Sequence, residues 1–163
     1  MLRTVIESAQ NLRVALLSNS TAEDVRRFAL THGTRFLAEP DGSDLNAAVA
    51  AGVNQLAVLG YGRVAVVHSD LPLARDITWL ADSEGIIVVP DRTGKGTNAI
   101  SVPSDISFHF SYGPGSFERH CDEARRHGFE PTVVLDPDGL SMDVDEPSDL
   151  ERMSLRSPEV LSN

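Results

Sequence analysis

The chain is poor in cysteine and aromatic residues and contains no long apolar run. Its single cysteine, Cys121, excludes an internal disulfide and is typical of a protein in a reducing cytoplasm. We expect this thiol to be a small buried residue rather than a nucleophile. No run approaches the roughly 20 apolar residues of a membrane helix, and the charges of Arg3 and Glu7 interrupt the start, where a signal peptide would be apolar. These absences favour a cytoplasmic protein without a membrane-spanning segment.

Positive charge is also scarce, since 14 Lys and Arg stand against 24 Asp and Glu and give a net charge of −10. This balance argues against nonspecific binding to nucleic acid or to an anionic membrane. A small anionic ligand remains compatible with it if local cations, or metal ions held by carboxylates, surround that ligand. No pattern in the sequence specifies an oligomeric state.

Short apolar runs that alternate with helical patterns indicate an α/β fold. The clearest run, Val64 to Val67, is continuous and largely β-branched, which is typical of a parallel strand buried on both faces. Two further strands are predicted from Gly85 to Val89 and from Ala99 to Val102, and the order of the elements predicts a β-rich insertion late in the chain. The length of 163 residues suits one domain, so we predict a single doubly wound α/β domain over residues 1–163 with a mostly parallel sheet. Residues after Met153 are expected to fray.

Capping residues and periodicity predict the helix and strand boundaries. Thr21 and Asp44 are predicted to cap helices that end at Gly33 and Gly60. Ser116 is predicted to cap a helix that ends near residue 128. The other predicted segments are helices over 1–10 and 73–81, a helix from 145 onward, and strands over 14–17, 34–38, 108–112, 132–135 and 140–143.

The polar loop from Pro90 to Asn98 is a candidate anion site. Its glycines allow close approach to the backbone, and free N–H groups together with Arg92 and Lys95 favour an anion. It is not a P-loop, because Gly96 rather than Ser or Thr follows the Gly-Lys pair. An ordinary polar hairpin loop explains the same residues equally well.

Three aspartates are candidate metal ligands. Asp70 directly follows the clearest strand, where ligands bind in open α/β sheets, although a helix cap could occupy the same position. Asp143 and Asp145 lie two residues apart, so on an extended segment their carboxylates share a side and repel unless a cation lies between them. If Asp70 meets this pair, the three form a site for Mg²⁺ and a phosphorylated substrate. Otherwise Asp145 caps the last helix and Asp143 is solvated.

Two further places could contact a ligand. The turn from Gly113 to Ser116 leads into a helix, whose N-terminal N–H groups and serine hydroxyl suit a phosphate or carboxylate. A simple turn with a capping serine is the alternative. Arg119 and His120 could add positive charge there or lie at the surface. Asn46 has the donors and the acceptor needed to read a base edge, or is an exposed helix residue.

Five segments, taken in order, resemble one enzyme family. They are Leu45-Asn46-Ala47-Ala48, His68-Ser69-Asp70-Leu71-Pro72, the stretch from Pro90 to Ala99, the stretch from Phe110 to Phe117, and the stretch from Met142 to Leu150. Together they cover most of residues 44–150 and resemble the guanylyltransferases of coenzyme F-420 biosynthesis, CofC in archaea and FbiD in bacteria.

The resemblance implies a doubly wound nucleotidyltransferase fold and a Mg²⁺-assisted reaction. In that reaction GTP condenses with 2-phospho-L-lactate, phosphoenolpyruvate or 3-phospho-D-glycerate, and pyrophosphate leaves. The alternatives are a related nucleotidyltransferase for a sugar phosphate or molybdopterin, and a nucleotide-binding module without catalysis. The implied site residues are Thr97, Gly113 and Ser116 for the acceptor, Asp70, Asp143 and Asp145 for the metal and catalysis, and Asn46 for the guanine.

Family members usually begin with a strand and a basic loop around the nucleotide phosphates. This chain starts at what resembles the following helix, residues 1–10, so the resemblance implies that this strand and loop are absent from the sequence. Their absence would expose apolar surface and unpaired backbone groups. We expect either a start assigned too late or a diverged protein.

Overall fold

A computed structural model describes residues 1–18, 23–135 and 139–142. Within these ranges the chain alternates between helices and strands. The helices are α1 (Leu2–Ser8), α2 (Glu23–Thr31), α3 (Leu45–Val58), α4 (Trp79–Asp82) and α5 (Ser116–Arg126). The strands are β1 (Ala15–Ser18), β2 (Arg35–Ala38), β3 (Arg63–Val67), β4 (Ile87–Pro90), β5 (Thr97–Pro103) and β6 (Thr132–Val133).

The strands form two sheets. β1 and β2 pair in parallel, and the larger sheet has the order β3-β5-β4-β6. β5 runs antiparallel to both β3 and β4, while β6 is parallel to β4. All strands of the larger sheet except β5 therefore point the same way. The predicted α/β class is confirmed, and the late β-rich insertion is the β4–β5 hairpin.

The larger sheet carries an apolar cluster on each face, because successive strand residues point to opposite sides. Val88 of β4 belongs to the first core, together with residues of α3 and α5 that include Cys121. Its neighbours Ile87 and Val89 belong to the second core, together with residues of α1 and the segment 71–80. Cys121 is buried, as expected. The sequence's only tryptophan, Trp79, packs partly buried against the second core.

A cavity of about 760 Å³ lies between the two sheets. Its lining includes β1 and β3 together with apolar residues of α1 and α3. In the part of the chain that is described, β1 is hydrogen-bonded only to β2 and β3 only to β5. Each of these two strands therefore has one paired edge and one edge that faces the cavity.

The helix predicted over residues 73–81 is mostly wrong, since α4 starts only at Trp79. Asp76 Oδ1 accepts the N–H group of Thr78 at 2.9 Å and its hydroxyl at 2.6 Å. This local turn competes with helical hydrogen bonding, as short Asp side chains commonly do.

The strand predicted over residues 108–112 is also wrong, although the segment contains the expected alternation. Side chains rather than a neighbouring strand accept three of its N–H groups. The pairs are Glu123 with His109 at 3.1 Å, His120 with Ser111 at 2.9 Å, and Asn46 with Tyr112 at 2.5 Å. The segment is thereby tied to α3 and α5 without joining a sheet.

Several element ends match the prediction and others shift. Asp44 caps α3, and its carboxylate accepts the Ala47 N–H group at 2.8 Å. Gly115, rather than Ser116, is the N-cap of α5, and residues 139–141 form a turn where a strand was predicted. The predicted Thr21 cap and the helix from residue 145 lie outside the described residues. Within those residues, no helix has both the length and the apolar character needed to span a bilayer.

Candidate functional site

The ends of several elements meet at one edge of the larger sheet. Val67, the last residue of β3, is paired with Ala99 near the start of β5, and the His68 N–H group donates to the Asn98 carbonyl at 3.0 Å. The His68 ring lies 5.2 Å from the ring of Tyr112, just before the turn into α5. We call this edge, formed by residues 68–70, 91–98 and 111–120, the candidate site.

Three buried polar side chains form a hydrogen-bonded chain in the candidate site. Thr97 Oγ1 lies 3.4 Å from Ser116 Oγ and 3.0 Å from His120 Nδ1. The exposed fractions are 2% for Thr97, 1% for Ser116 and 0% for His120. The structure thus brings two of the predicted acceptor contacts together, with a third polar partner behind them.

His120 neither adds positive charge to the site at neutral pH nor lies at the surface, so neither of the two predicted alternatives applies to it. Desolvation by burial, reinforced by the charge of Arg119, lowers the pKa of His120 to about 4. The imidazole is therefore neutral, and it packs edge-on against Tyr112 with ring centres 4.9 Å apart.

The turn into α5 depends on glycine and on Arg119. Gly113 and Gly115 both have left-handed backbones, with φ of +109° and +76°, which other residues adopt only with strain. The Arg119 guanidinium donates to the carbonyl oxygens of Pro114 and Ser111, both at 2.7 Å. The positive charge of Arg119 does lie beside the turn, where the guanidinium donates hydrogen bonds to carbonyl groups of the turn and of the segment before it.

The loop between β4 and β5 wraps around its own carboxylate. Asp91 Oδ1 accepts the N–H groups of Thr93 and Lys95 at 2.9 and 3.0 Å, and Oδ2 accepts that of Gly96 at 2.9 Å. A Cβ at position 96 would lie 2.6 Å from Asp91 Oδ2, so the loop needs glycine there. The prediction that these N–H groups are free for an external anion is wrong, because Asp91 already supplies the negative charge.

Asp70 is a candidate cation ligand because one of its carboxylate oxygens is unpaired. Its Oδ1 is buried and has no hydrogen-bond partner among the described residues, and the same holds for the Tyr112 hydroxyl. Both residues line the cavity between the sheets. A buried, unpaired carboxylate oxygen fits a hard divalent cation, which prefers oxygen ligands.

The other two predicted metal ligands, Asp143 and Asp145, lie outside the described residues. Across the ranges that are described, no three His, Cys, Asp or Glu side chains are grouped as metal ligands. Asp70 is therefore the one predicted metal ligand whose surroundings the structure describes.

Asn46 contributes to the site by accepting a backbone hydrogen bond from Tyr112. Its Oδ1 accepts the Tyr112 N–H group, so the acceptor part of this amide is used inside the protein. A guanine contact by Asn46 stays a prediction, and it would use the amide nitrogen.

Sequence reasoning missed the roles of Asp91 and His120. Asp91 did have a local signal, since an Asp at the start of a glycine-containing turn commonly accepts the N–H groups that follow it. His120 had none, because its partners Ser111 and Thr97 are 9 and 23 residues away along the chain. Only the folded arrangement shows that its ring joins them.

Two kinds of comparison relate the chain to known proteins. The family described as "Guanylyl transferase CofC like" matches residues 1–160. A phosphoenolpyruvate guanylyltransferase from Roseiflexus castenholzii is 38% identical over 148 residues, which cover 89% of this chain and 67% of that protein. A 2-phospho-L-lactate guanylyltransferase from Methanothermobacter thermautotrophicus is 35% identical over 141 residues, which cover 83% of this chain and 61% of that protein.

A solved structure shares the fold. A Desulfovibrio desulfuricans protein described as a nucleotide-diphospho-sugar transferase superposes with a TM-score of 0.77 at 17% identity, covering 99% of this chain and 74% of that chain. At this identity the likeness concerns the fold alone, which is of the nucleotidyltransferase type.

Proposed function

Because the chain belongs to the family of CofC-like guanylyl transferases, we propose that it transfers the guanylyl group of GTP to a small phosphorylated carboxylic acid. The family match over residues 1–160 is the observation that carries the proposal. The names of the two relatives indicate phosphoenolpyruvate and 2-phospho-L-lactate as representatives of the acceptor class. The reaction would serve coenzyme F-420 biosynthesis.

The proposed step is an in-line displacement at the α-phosphorus of GTP. An oxygen of the acceptor phosphate forms the new P–O bond, the bond to the β-phosphate oxygen breaks, and pyrophosphate leaves with the electron pair. The nucleophile is already an anion, so no side chain has to remove a proton. The protein then contributes positioning and charge neutralisation.

Thr97, Gly113 and Ser116 are proposed to hold the acceptor. Two observations support this role: the hydroxyls of Thr97 and Ser116 are adjacent, and Ser116 lies in the first turn of α5, at the positive end of the helix dipole. Since both side chains are almost fully buried, an acceptor has to displace the groups that cover them. We therefore expect acceptor binding to include a local opening.

Asp70, Asp143 and Asp145 are proposed to hold Mg²⁺, and the unpaired Oδ1 of Asp70 supports this. When bound, the cation would neutralise charge on the reacting phosphates. Asp70 lies in the candidate site because it follows β3 at the edge of the sheet where β5 begins. Asn46 is proposed to contact the guanine with its amide nitrogen.

The test is a turnover assay with GTP, Mg²⁺ and each acid in turn: phosphoenolpyruvate, 2-phospho-L-lactate and 3-phospho-D-glycerate. We expect pyrophosphate release with at least one acid and a product with the mass of the guanylyl diphosphate ester. Asp70→Asn and Asp143→Asn should each lower the rate roughly 10²-fold or more, since a lost metal ligand removes several kcal/mol of charge stabilisation. Asp41→Asn, in an exposed turn, is the control.

Each outcome separates one part of the proposal. Unchanged release in Asp143→Asn would remove the metal role. GTP binding in calorimetry without any turnover would support a nucleotide-binding module instead, and a product formed only from a sugar phosphate or molybdopterin would identify a related nucleotidyltransferase.

A further inference from the structure

A backbone N–H group fixes the tautomer of His120. The Ser111 N–H group donates to His120 Nε2 at 2.9 Å, and a backbone N–H group can only donate. Nε2 must therefore be the unprotonated nitrogen. Because the buried ring is neutral, its one proton lies on Nδ1.

That proton determines what Thr97 can do. His120 Nδ1 lies 3.0 Å from Thr97 Oγ1, so Nδ1–H donates to the threonine oxygen and uses one of its lone pairs. The Ser116 hydroxyl lies 3.4 Å from the same oxygen and is able to donate to it as well. Because the Thr97 oxygen accepts from His120, Thr97 has its own O–H group left to donate.

We propose that His120 is a positioning residue that fixes the Thr97 hydroxyl as a hydrogen-bond donor, so that the candidate site selects an anionic oxygen of the acceptor. This inference rests on the proposed function. A phosphate or carboxylate oxygen accepts the Thr97 O–H group, whereas an ammonium group or an amide N–H group would oppose it with a second donor. Hydrogen bonds in such a chain polarise one another, which strengthens the terminal donor.

The opposite tautomer is excluded by its cost. A proton on Nε2 would face the Ser111 N–H group and leave two buried donors without acceptors, and each unsatisfied group would be penalised. The pair of neighbours on either side of the ring therefore sets the direction of the whole chain, from Ser111 through His120 to Thr97.

A double-mutant cycle tests the inference. His120→Leu removes the donor, Thr97→Val removes the hydroxyl, and the double variant removes both. In calorimetry with phosphoenolpyruvate we expect each single variant to weaken binding about fivefold, as for one hydrogen bond. The double variant should be no weaker than Thr97→Val, because His120 acts only through Thr97. Binding of GTP should not change.

Two matched variants separate positioning from general structure. His120→Asn places an amide near the former Nδ1 and should bind phosphoenolpyruvate within about twofold of the original protein, since the donor to Thr97 is kept. His127→Leu is the control, because His127 lies on the same helix and bonds Glu123 instead. It should leave acceptor binding unchanged.

The outcomes are distinct. A loss in the double variant that is the product of the two single losses overturns the positioning role alone. Phosphoenolpyruvate, 2-phospho-L-lactate and 3-phospho-D-glycerate all failing to bind the original protein overturns both this inference and the proposed acceptor class. If His120→Leu does not fold, ¹⁵N spectra of the original protein decide: an Nδ1-protonated His120 supports the inference, and an Nε2-protonated one overturns it.

Discussion

Asp91 shows how one side chain can set the shape of a loop at the residue scale. Burial alone would raise the pKa of its carboxyl, but hydrogen bonds from Lys95, Thr93 and Gly96 outweigh that effect and lower the pKa. A carboxyl whose pKa is depressed on folding contributes stability above its unfolded pKa of about 3.9. That contribution is lost as the pH falls through the lower folded pKa.

We therefore predict that Asp91→Asn lowers the free energy of unfolding at pH 7 by about 1.5–3 kcal/mol, the range for hydrogen bonds to a charged group. The difference between the variant and the original protein should shrink as the pH is lowered below 4. Urea unfolding at several pH values measures both effects, with Asp41→Asn as the exposed control. A deficit that stays constant down to pH 2 would show that the charge of Asp91 is not involved.

Residue roles were readable from the sequence where their partners are near in the chain. Asp44 as a cap and Cys121 as a buried thiol both follow from local pattern, and both are confirmed. Asp91 also has a local pattern, but the cations beside it favour the interpretation of the loop as a site for an external anion. His120 was misassigned because burial, which decides its charge, is a property of the folded molecule.

At the element scale, α3 does more than cover the sheet, because its first turn holds the segment 108–112. Asn46 Oδ1 accepts the Tyr112 N–H group across 66 residues of chain. The prediction of a strand failed for this reason: alternation reports which residues face the core, but a ladder needs a neighbouring strand. Here side chains of α3 and α5 take the place of that neighbour.

Asn46→Ala should therefore destabilise the fold by about 1–3 kcal/mol, since it leaves a backbone donor without its acceptor. Asn54→Ala on the exposed face of the same helix is the matched control and should stay within about 0.5 kcal/mol of the original protein. Thermal or urea unfolding measures the difference. Equal stability of both variants, combined with weaker GTP binding in Asn46→Ala alone, would instead favour a purely ligand-binding role.

At the scale of the whole molecule, the cavity separates the two sheets, and the strands β1 and β3 beside it each have one hydrogen-bonded edge and one edge that faces the cavity. In β1 the even-numbered residues bond to β2, because the N–H groups of Arg35 and Glu39 donate to Val14 and Ser18. The backbone N–H and C=O groups of the odd-numbered residues Ala15 and Leu17 therefore point away from β2, toward the cavity. The same alternation applies to β3, where the His68 N–H group donates to the Asn98 carbonyl. The backbone N–H and C=O groups of Ala65 and Val67 therefore point toward the cavity from the other side.

Amide hydrogen exchange should reveal these edges. We predict that the N–H groups of Leu17 and Val67 exchange at least about 10²-fold faster than those of Leu16 and Val66. The N–H groups of Leu16 and Val66 exchange only when their interstrand hydrogen bonds break as the strands separate. Nuclear magnetic resonance with exchange in deuterated water resolves them residue by residue. Equally slow exchange at all four amides would mean that the cavity-facing edges are covered.

The class of the fold could be predicted from the alternation of apolar runs and helical patterns, whereas the arrangement of the sheets could not. The continuous apolar run from Val64 to Val67 predicts a central parallel strand, and β3 does have an apolar cluster on each side. Its hydrogen-bonded partner is nevertheless the antiparallel β5. Pairing depends on which edges meet in space, and the residues of a strand do not encode the direction of its neighbour.

Trp79 gives the second core an optical label that the first core lacks. It is the only indole in the sequence, and its Nε1–H group donates to the Asp76 carbonyl at 3.0 Å. Its fluorescence therefore reports the environment of α4 and the segment before it.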